Sequence, residues 1–244
     1  MKPFWFLGTR AEDAAADGEY DAMVRFSGLD ERDLRRVRLE RDPLPEIDLD
    51  ACSGIILGGG PFNVSDDESS KGDVQRRVEV ELGGLTERVL ATDTPFLGAC
   101  YGIGTLGRLR GGLVDRTYAE PVGPVSMTLT SEGRDDQLLG VLPERFDAFL
   151  GHKEAVSRLP HGAVLLASSA TCPVQAFRLG ERVYATQFHP ELDVEGICLR
   201  IDVYRSHGYF DPGEADALKA RARAAAVTEP PRLLARFVEL FARD

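Results

Sequence analysis

Apolar and polar positions follow two patterns along this chain. Lys2 to Gly8, Ser53 to Leu57 and Pro95 to Ala99 are short apolar runs, each ending in glycine or a turn. Such runs, bounded by turn signals, predict strands buried on both faces. Leu34 to Leu39 interleaves apolar residues with arginine and predicts another strand. Between the runs, Ala11 to Phe26 is alanine-rich and reads as a helix interrupted by Gly18. Val74 to Ala91 carries Val74, Val78, Val80, Leu82, Leu85, Val89 and Leu90 among charges, mostly at helical spacing. Strand and helix alternate throughout this half, which predicts a parallel sheet with helices on both faces and right-handed crossovers.

The second half changes character. Val125 to Thr130, Arg145 to Leu150, Ala163 to Ser168, Val174 to Leu179 and Val183 to Phe188 read as short strands at close spacing, some antiparallel. Val194 to Ser206 and Pro230 to Arg243 read as helices. The latter places Leu233, Leu234, Phe237, Leu240 and Phe241 on one stripe. Asp211 to Thr228 is rich in alanine and charge and suits a surface helix. The fold expected is α/β: an open, mostly parallel sheet flanked by helices, with antiparallel strands in the second half. Its 244 residues suit a single domain, 1–244.

Charge narrows the function. Forty acidic against 29 basic side chains give a net charge of -11, which argues against nucleic acid or an anionic membrane as the main partner. No apolar run spans a bilayer, and the opening MKPFWFLGTR has no signal-peptide body, so a cytoplasmic location is expected. Cys52, Cys100, Cys172 and Cys198 form no C-x-x-C pair, so no metal site is expected and all four read as free thiols.

The candidate chemistry starts at Gly98-Ala99-Cys100-Tyr101-Gly102, after a buried strand and before a helix. This is the layout of a nucleophile elbow with cysteine as the nucleophile. A sulfur there sits beside a helix N-terminus, which favours its anionic form. His189 offers a general base near neutrality, and Glu191 a carboxylate to orient it. Because Pro190 favours extension before it, the sequence predicts an extended segment with both side chains on one side. Gly58-Gly59-Gly60-Pro61 follows another strand, so its amides fall at the carboxyl edge of the sheet, where they can hold an oxyanion or a carboxylate.

With these motifs in order, the chain resembles the class I (triad) glutamine amidotransferases and is similar to the glutaminase domain of GMP synthase. Ile55 to Pro61 resembles the family's oxyanion loop and Pro95 to Gly102 its cysteine elbow. Gly151-His152-Lys153-Glu154-Ala155-Val156 resembles the segment beside its glutamine pocket. Ala185 to Glu191 carries its His-Pro-Glu signature. The resemblance implies a flavodoxin-like sheet and a triad of Cys100, His189 and Glu191. It also implies an oxyanion hole from the Gly60 and Tyr101 amides, and a substrate pocket bordered by Gly59, Gly60, Tyr101, Gly104 and His152. The implied reaction forms a γ-glutamyl thioester on Cys100, releases ammonia and then glutamate, and needs no cofactor. Glutamine or another γ-glutamyl compound would be the substrate, and a separate synthetase subunit would receive the ammonia.

Two departures bear on the substrate. Gly104 stands where the family has glutamine, which predicts a roomier pocket, and Lys153 stands where it often has glycine. A stand-alone γ-glutamyl peptidase acting on larger compounds is therefore the alternative enzyme. A non-catalytic regulatory subunit of the same fold is the other class. His152 reads either as a pocket-lining residue or as a hydrogen-bonded histidine at a strand end.

Overall fold

The computed structural model describes residues 1–244. In chain order its strands are β1 (Phe4–Gly8), β2 (Leu34–Arg38), β3 (Gly54–Leu57), β4 (Phe96–Ala99), β5 (Leu113–Asp115) and β6 (Glu120–Leu129). They continue with β7 (Arg145–His152), β8 (Ala155–Arg158), β9 (Val164–Ser169), β10 (Ala176–Leu179) and β11 (Val183–Thr186). The helices are α1 (Asp13–Ser27), α2 (Asp73–Thr92), α3 (Tyr101–Gly107), α4 (Ser131–Asp135), α5 (Val194–Val203), α6 (Ala215–Ala224) and α7 (Arg232–Phe241).

Nine strands form one sheet in the order β2-β1-β3-β4-β11-β10-β9-β6-β7. From β2 to β11 every pairing is parallel; from β11 to β7 every pairing is antiparallel. Only β10 and β6 therefore run against the rest, so most strands point one way, as the alternating first half predicts. β5 and β8 form a separate antiparallel pair.

Side-chain alternation divides the core between the two faces of the sheet. Phe4, Phe6, Ile56 and Leu97 face one side, with Met23 of α1 and Leu233, Leu234 and Phe237 of α7 packed over them. Leu7, Ile55, Leu57 and Phe96 face the other, under Val78, Leu82, Leu85 and Val89 of α2. The α7 stripe read from the sequence is the one buried: Leu233, Leu234 and Phe237 have no exposed surface. Each such side chain contributes roughly 1.5–3 kcal/mol of burial energy. A third cluster, from Phe149 and Leu192 to Ile197, Ile201 and Leu218, lies under α5 and α6.

The structure departs from the pattern reading at four elements. β6 begins at Glu120, five residues before the apolar stretch, and runs through Pro121, Gly123 and Pro124 with an irregular register. Two prolines and a glycine hide a strand from a propensity reading. β5, β8 and α4 are too short to carry a period.

Candidate functional site

Four strand ends meet at one edge of the sheet. β1 delivers Thr9 and Arg10, β3 delivers Gly58 to Gly60, β4 delivers Cys100, and β11 leads into Gln187 to Glu191. These strands are parallel neighbours, so their carboxyl ends are brought together by the topology itself.

Cys100 holds φ 53° and ψ -92°, a conformation that a side chain rarely adopts. Backbone strain of this kind costs about 1–3 kcal/mol and persists only when neighbours enforce it. The Cys100 amide donates to the Thr186 carbonyl at 2.8 Å, and its own carbonyl accepts from the Ile103 amide at 3.1 Å. Gly98 is required because a Cβ there would stand 2.9 Å from the Gly102 backbone. The Tyr101 amide opens α3 and so has no acceptor inside the helix. The Gly60 amide donates to no group of the chain.

His189 is 5% exposed and lines the same cavity as Cys100. Its Nδ1 is 2.8 Å from Glu191 Oε1, and its backbone amide donates to the Phe149 carbonyl at 3.1 Å. The segment is a turn rather than the extended chain expected: the Leu192 amide donates back to the His189 carbonyl at 3.3 Å. The turn, with Pro190 at its corner, brings the imidazole and carboxylate together. Gly59 packs its backbone against the ring; a Cβ there would lie 2.5 Å from His189 Cε1 and 3.2 Å from Cys100 Cβ.

Glu191 is wholly buried. Its Oε1 accepts from His189 Nδ1 and from Arg200 Nη2 at 2.7 Å. Arg200 Nη1 stands 3.0 Å from His189 Nδ1, so guanidinium and imidazole crowd one carboxylate oxygen. Arg200 Nη2 also donates to Glu19 Oε1 at 3.1 Å, which accepts from Arg10 Nε at 3.0 Å. Arg10 Nη1 continues to the Tyr204 hydroxyl at 3.2 Å. Two arginines thus balance two glutamates in a buried chain, the condition under which such charges are tolerated. Burial pulls the His189 imidazolium down, but the charges of Glu191 and of the Cys100 sulfur more than reverse this and hold the imidazole up at about 9. For Glu191, burial works against the charge, yet His189 and Arg200 hold its carboxyl well below the usual range.

Two cavities meet at Cys100, Gly60, Gly151 and Tyr209. The smaller, about 290 Å³ of atom-free space, is lined mainly by polar and backbone groups, among them Asn63, Gly151, Lys153, Glu154 and Gln187. The larger, about 500 Å³ with its open mouth included, is lined by Arg10, His189 and Arg200 together with a majority of apolar side chains. Tyr209 stands between them, its ring 4.4 Å from Lys153 Nζ.

Other residues read from the sequence take different places. His152 borders the smaller cavity, but both its nitrogens are engaged inside the protein: Nε2 with Glu120 Oε2 at 2.8 Å and Nδ1 with the Glu154 carbonyl at 2.9 Å. Gly104 borders neither cavity, so the roomier pocket expected from it is not formed. A Cβ at Gly104 would meet Glu154 Oε1 at 2.9 Å. Glu154 instead fills that space, accepting from the Val64 and Ser65 amides at 2.9 and 2.8 Å. Burial raises the Glu154 carboxyl above its ordinary range, against those hydrogen bonds.

Arg10, Glu19, Arg200, Tyr204 and Tyr209 were not legible as site residues. Arg10 had a signal, since Gly8-Thr9-Arg10 follows a buried strand whose carboxyl end lies at the site edge. Arg200 and Tyr204 sit on a helix face whose direction the sequence leaves open.

Comparison with known proteins agrees with this geometry. The family model for glutamine amidotransferase class-I matches residues 29–196. The chain is 31% identical over 175 residues to the glutamine-hydrolysing GMP synthase of Aeropyrum pernix, covering 69% of this chain and 31% of that protein. It is 28% identical over 176 residues to a glutamine-hydrolysing GMP synthase subunit of Methanoculleus marisnigri, covering 72% of this chain and 84% of that relative. The chain thus spans under a third of the A. pernix enzyme and most of the M. marisnigri one. In Thermotoga maritima, a glutamine amidotransferase structure shares the fold, with a TM-score of 0.78, 20% identity and full coverage of both chains. With the family model matching well over half of its length, this chain belongs to the class I glutamine amidotransferase family.

Proposed function

We propose that the chain hydrolyses the γ-carboxamide of glutamine through Cys100 and supplies ammonia to a separate synthetase that activates the acceptor. The observation that carries this reading is the strained Cys100 sharing one cavity with a buried His189–Glu191 pair, beside two amides without acceptors in the protein. The Cys100 sulfur attacks the amide carbon while its proton resides on His189. The Gly60 and Tyr101 amides receive the developing oxyanion. His189 then protonates the departing nitrogen, leaving a γ-glutamyl thioester. A water gives a proton to the same imidazole and attacks the thioester, releasing glutamate and restoring the thiol. Glu191 holds the imidazole with Nε2 toward sulfur, and Arg200 holds Glu191. The glutamyl group occupies the smaller, polar cavity. The M. marisnigri relative, itself one subunit of a GMP synthase, supports delivery of ammonia to a synthetase partner.

Steady-state glutamate release from glutamine, with intact mass after a γ-glutamyl-directed thiol inactivator, tests the reading. One adduct, lost in Cys100→Ala, is expected. No adduct and no glutamate release would instead make the chain a non-catalytic, regulatory member of the fold.

A further inference from the structure

We propose that the larger cavity is a leaving-group site for the apolar amino acid of a γ-glutamyl dipeptide, so that the enzyme also cleaves γ-glutamyl bonds to residues such as leucine. This rests on the thioester reading above and extends it to the amine side.

His189, which must hand a proton to the departing nitrogen, lines the larger cavity and not the smaller one. The amine half of a substrate therefore projects into the larger cavity while the acyl half stays in the smaller. An ammonia molecule needs little of that space. The same lining includes Val122, Leu150, Leu192, Ile197, Ile201 and Phe210, which suits a branched or aromatic side chain.

The cavity also offers one charged donor. Arg10 is 5% exposed; its Nε is bonded to Glu19 and its Nη1 to Tyr204, while Nη2 donates to no group of the protein. The point where a side chain on Gly59 would begin is 2.5 Å from His189 Cε1 and 3.0 Å from Arg10 Nη2. In an α-amino acid leaving group the carboxylate carbon is two bonds from the nitrogen. With that nitrogen at His189, the carboxylate comes to Arg10 Nη2 and the side chain turns onto the apolar wall. Arg200 is less available: its Nη2 is held by Glu191 and Glu19, and its Nη1 lies 3.0 Å from His189 Nδ1.

The chemistry balances without a co-reactant. Cys100 sulfur forms the thioester bond, the γ-carbon to nitrogen bond breaks, and His189 passes the thiol proton to the nitrogen. The amino acid leaves; water then cleaves the thioester, so γ-glutamyl-leucine and water give glutamate and leucine.

The test measures kcat/KM of the full chain on glutamine, γ-glutamylglycine, γ-glutamyl-leucine and γ-glutamyl-isopentylamide, the last being the leucine compound without its carboxylate. The expected result is a preference for γ-glutamyl-leucine of at least about tenfold over both the glycine and the isopentylamide compounds, within the range one buried apolar group supplies. Ile201→Phe, which narrows the wall, should reduce the leucine-to-glycine ratio to about threefold or less. Because this is a ratio within one preparation, misfolded protein does not enter it. Turnover of glutamine with no preference for leucine overturns the leaving-group site and leaves the glutaminase reading standing. Equal rates on leucine and isopentylamide compounds overturn it through Arg10. No turnover of any of the four overturns both readings.

Discussion

The molecule holds two buried histidines, each 2.8 Å from a buried glutamate oxygen: His189 with Glu191, and His152 with Glu120. Their surroundings differ in one respect. His152 has its other nitrogen on the Glu154 carbonyl, while Glu120 also accepts from Thr171 and Gln175. Both nitrogens of His152 and both oxygens of Glu120 are thus answered by groups of the protein. His189 gives one nitrogen to Glu191 and lines the cavity that also holds Cys100. A histidine–carboxylate pair is thus not a reactive device in itself. Under the proposed reading, the strand end that delivers the third group decides which pair does chemistry, and that strand is β4.

Removing the nucleophile gives the largest expected contrast. Cys100→Ala should lower glutamine turnover by roughly 10⁴-fold or more. The circular dichroism spectrum should not change, since the substitution removes one sulfur from a half-buried site. Next come the two carboxylates, changed in the same way. Glu191→Gln should reduce kcat about 10²- to 10⁴-fold, because the amide can stabilise neither the imidazolium nor its orientation. Glu120→Gln should change kcat less than about tenfold and appear instead as a loss of about 1–3 kcal/mol in urea unfolding. Equal kinetic effects of the two would erase the distinction drawn between the pairs.

The third expectation concerns pH. The folded state raises His189 from 6.5 to about 9, so its contribution to stability is fully present below about pH 6.5 and lost as pH rises through about 9. Glu191 is held below its ordinary 4.5, so its contribution is present above that value and lost as pH falls through the depressed one. Stability from this pair is therefore greatest between about pH 4.5 and 6.5. Its alkaline loss is on the order of 3 kcal/mol. Unfolding free energies of wild type and His189→Gln should converge between about pH 6 and pH 9.5; a constant gap would remove the ion-pair account. The smallest effect is expected at Gly104→Ala, whose methyl meets the Glu154 carboxylate. A loss of about 1–3 kcal/mol by overpacking should shrink in the Glu154→Ala background.

Much of this architecture could be read from pattern, because the parallel half is built from local signals. An apolar run that stops at glycine marks both a buried strand and the place where its end opens onto the site, so Gly59, Gly60 and Cys100 were legible together. His189 and Glu191 were legible by residue type and spacing, although the turn joining them was not. The antiparallel half was harder. β6 disguises itself with Pro121 and Pro124, and β5 and β8 are too brief to show alternation. Nor could sequence spacing show that Glu154 occupies the space beside Gly104. That contact joins α3 to the turn between β7 and β8, so it exists only once the chain has folded. Arg10, Glu19 and Arg200 belong to the same class: their roles come from mutual neutralisation across three elements, which no single segment encodes.

Helix α5 has a consequence for how this chain can change in length. Asp193 fixes its first turn, its side chain accepting from the Gly196 amide at 2.8 Å. From there Ile197, Arg200, Ile201 and Tyr204 recur on one face, and all four border the larger cavity. A residue inserted between Asp193 and Arg200 would rotate that face by about 100° and carry the guanidinium away from both glutamates. The same insertion among the exposed residues near His207 would leave the helix phase untouched. The stretch from Glu191 to Tyr204 therefore acts as a ruler, closed to changes of length.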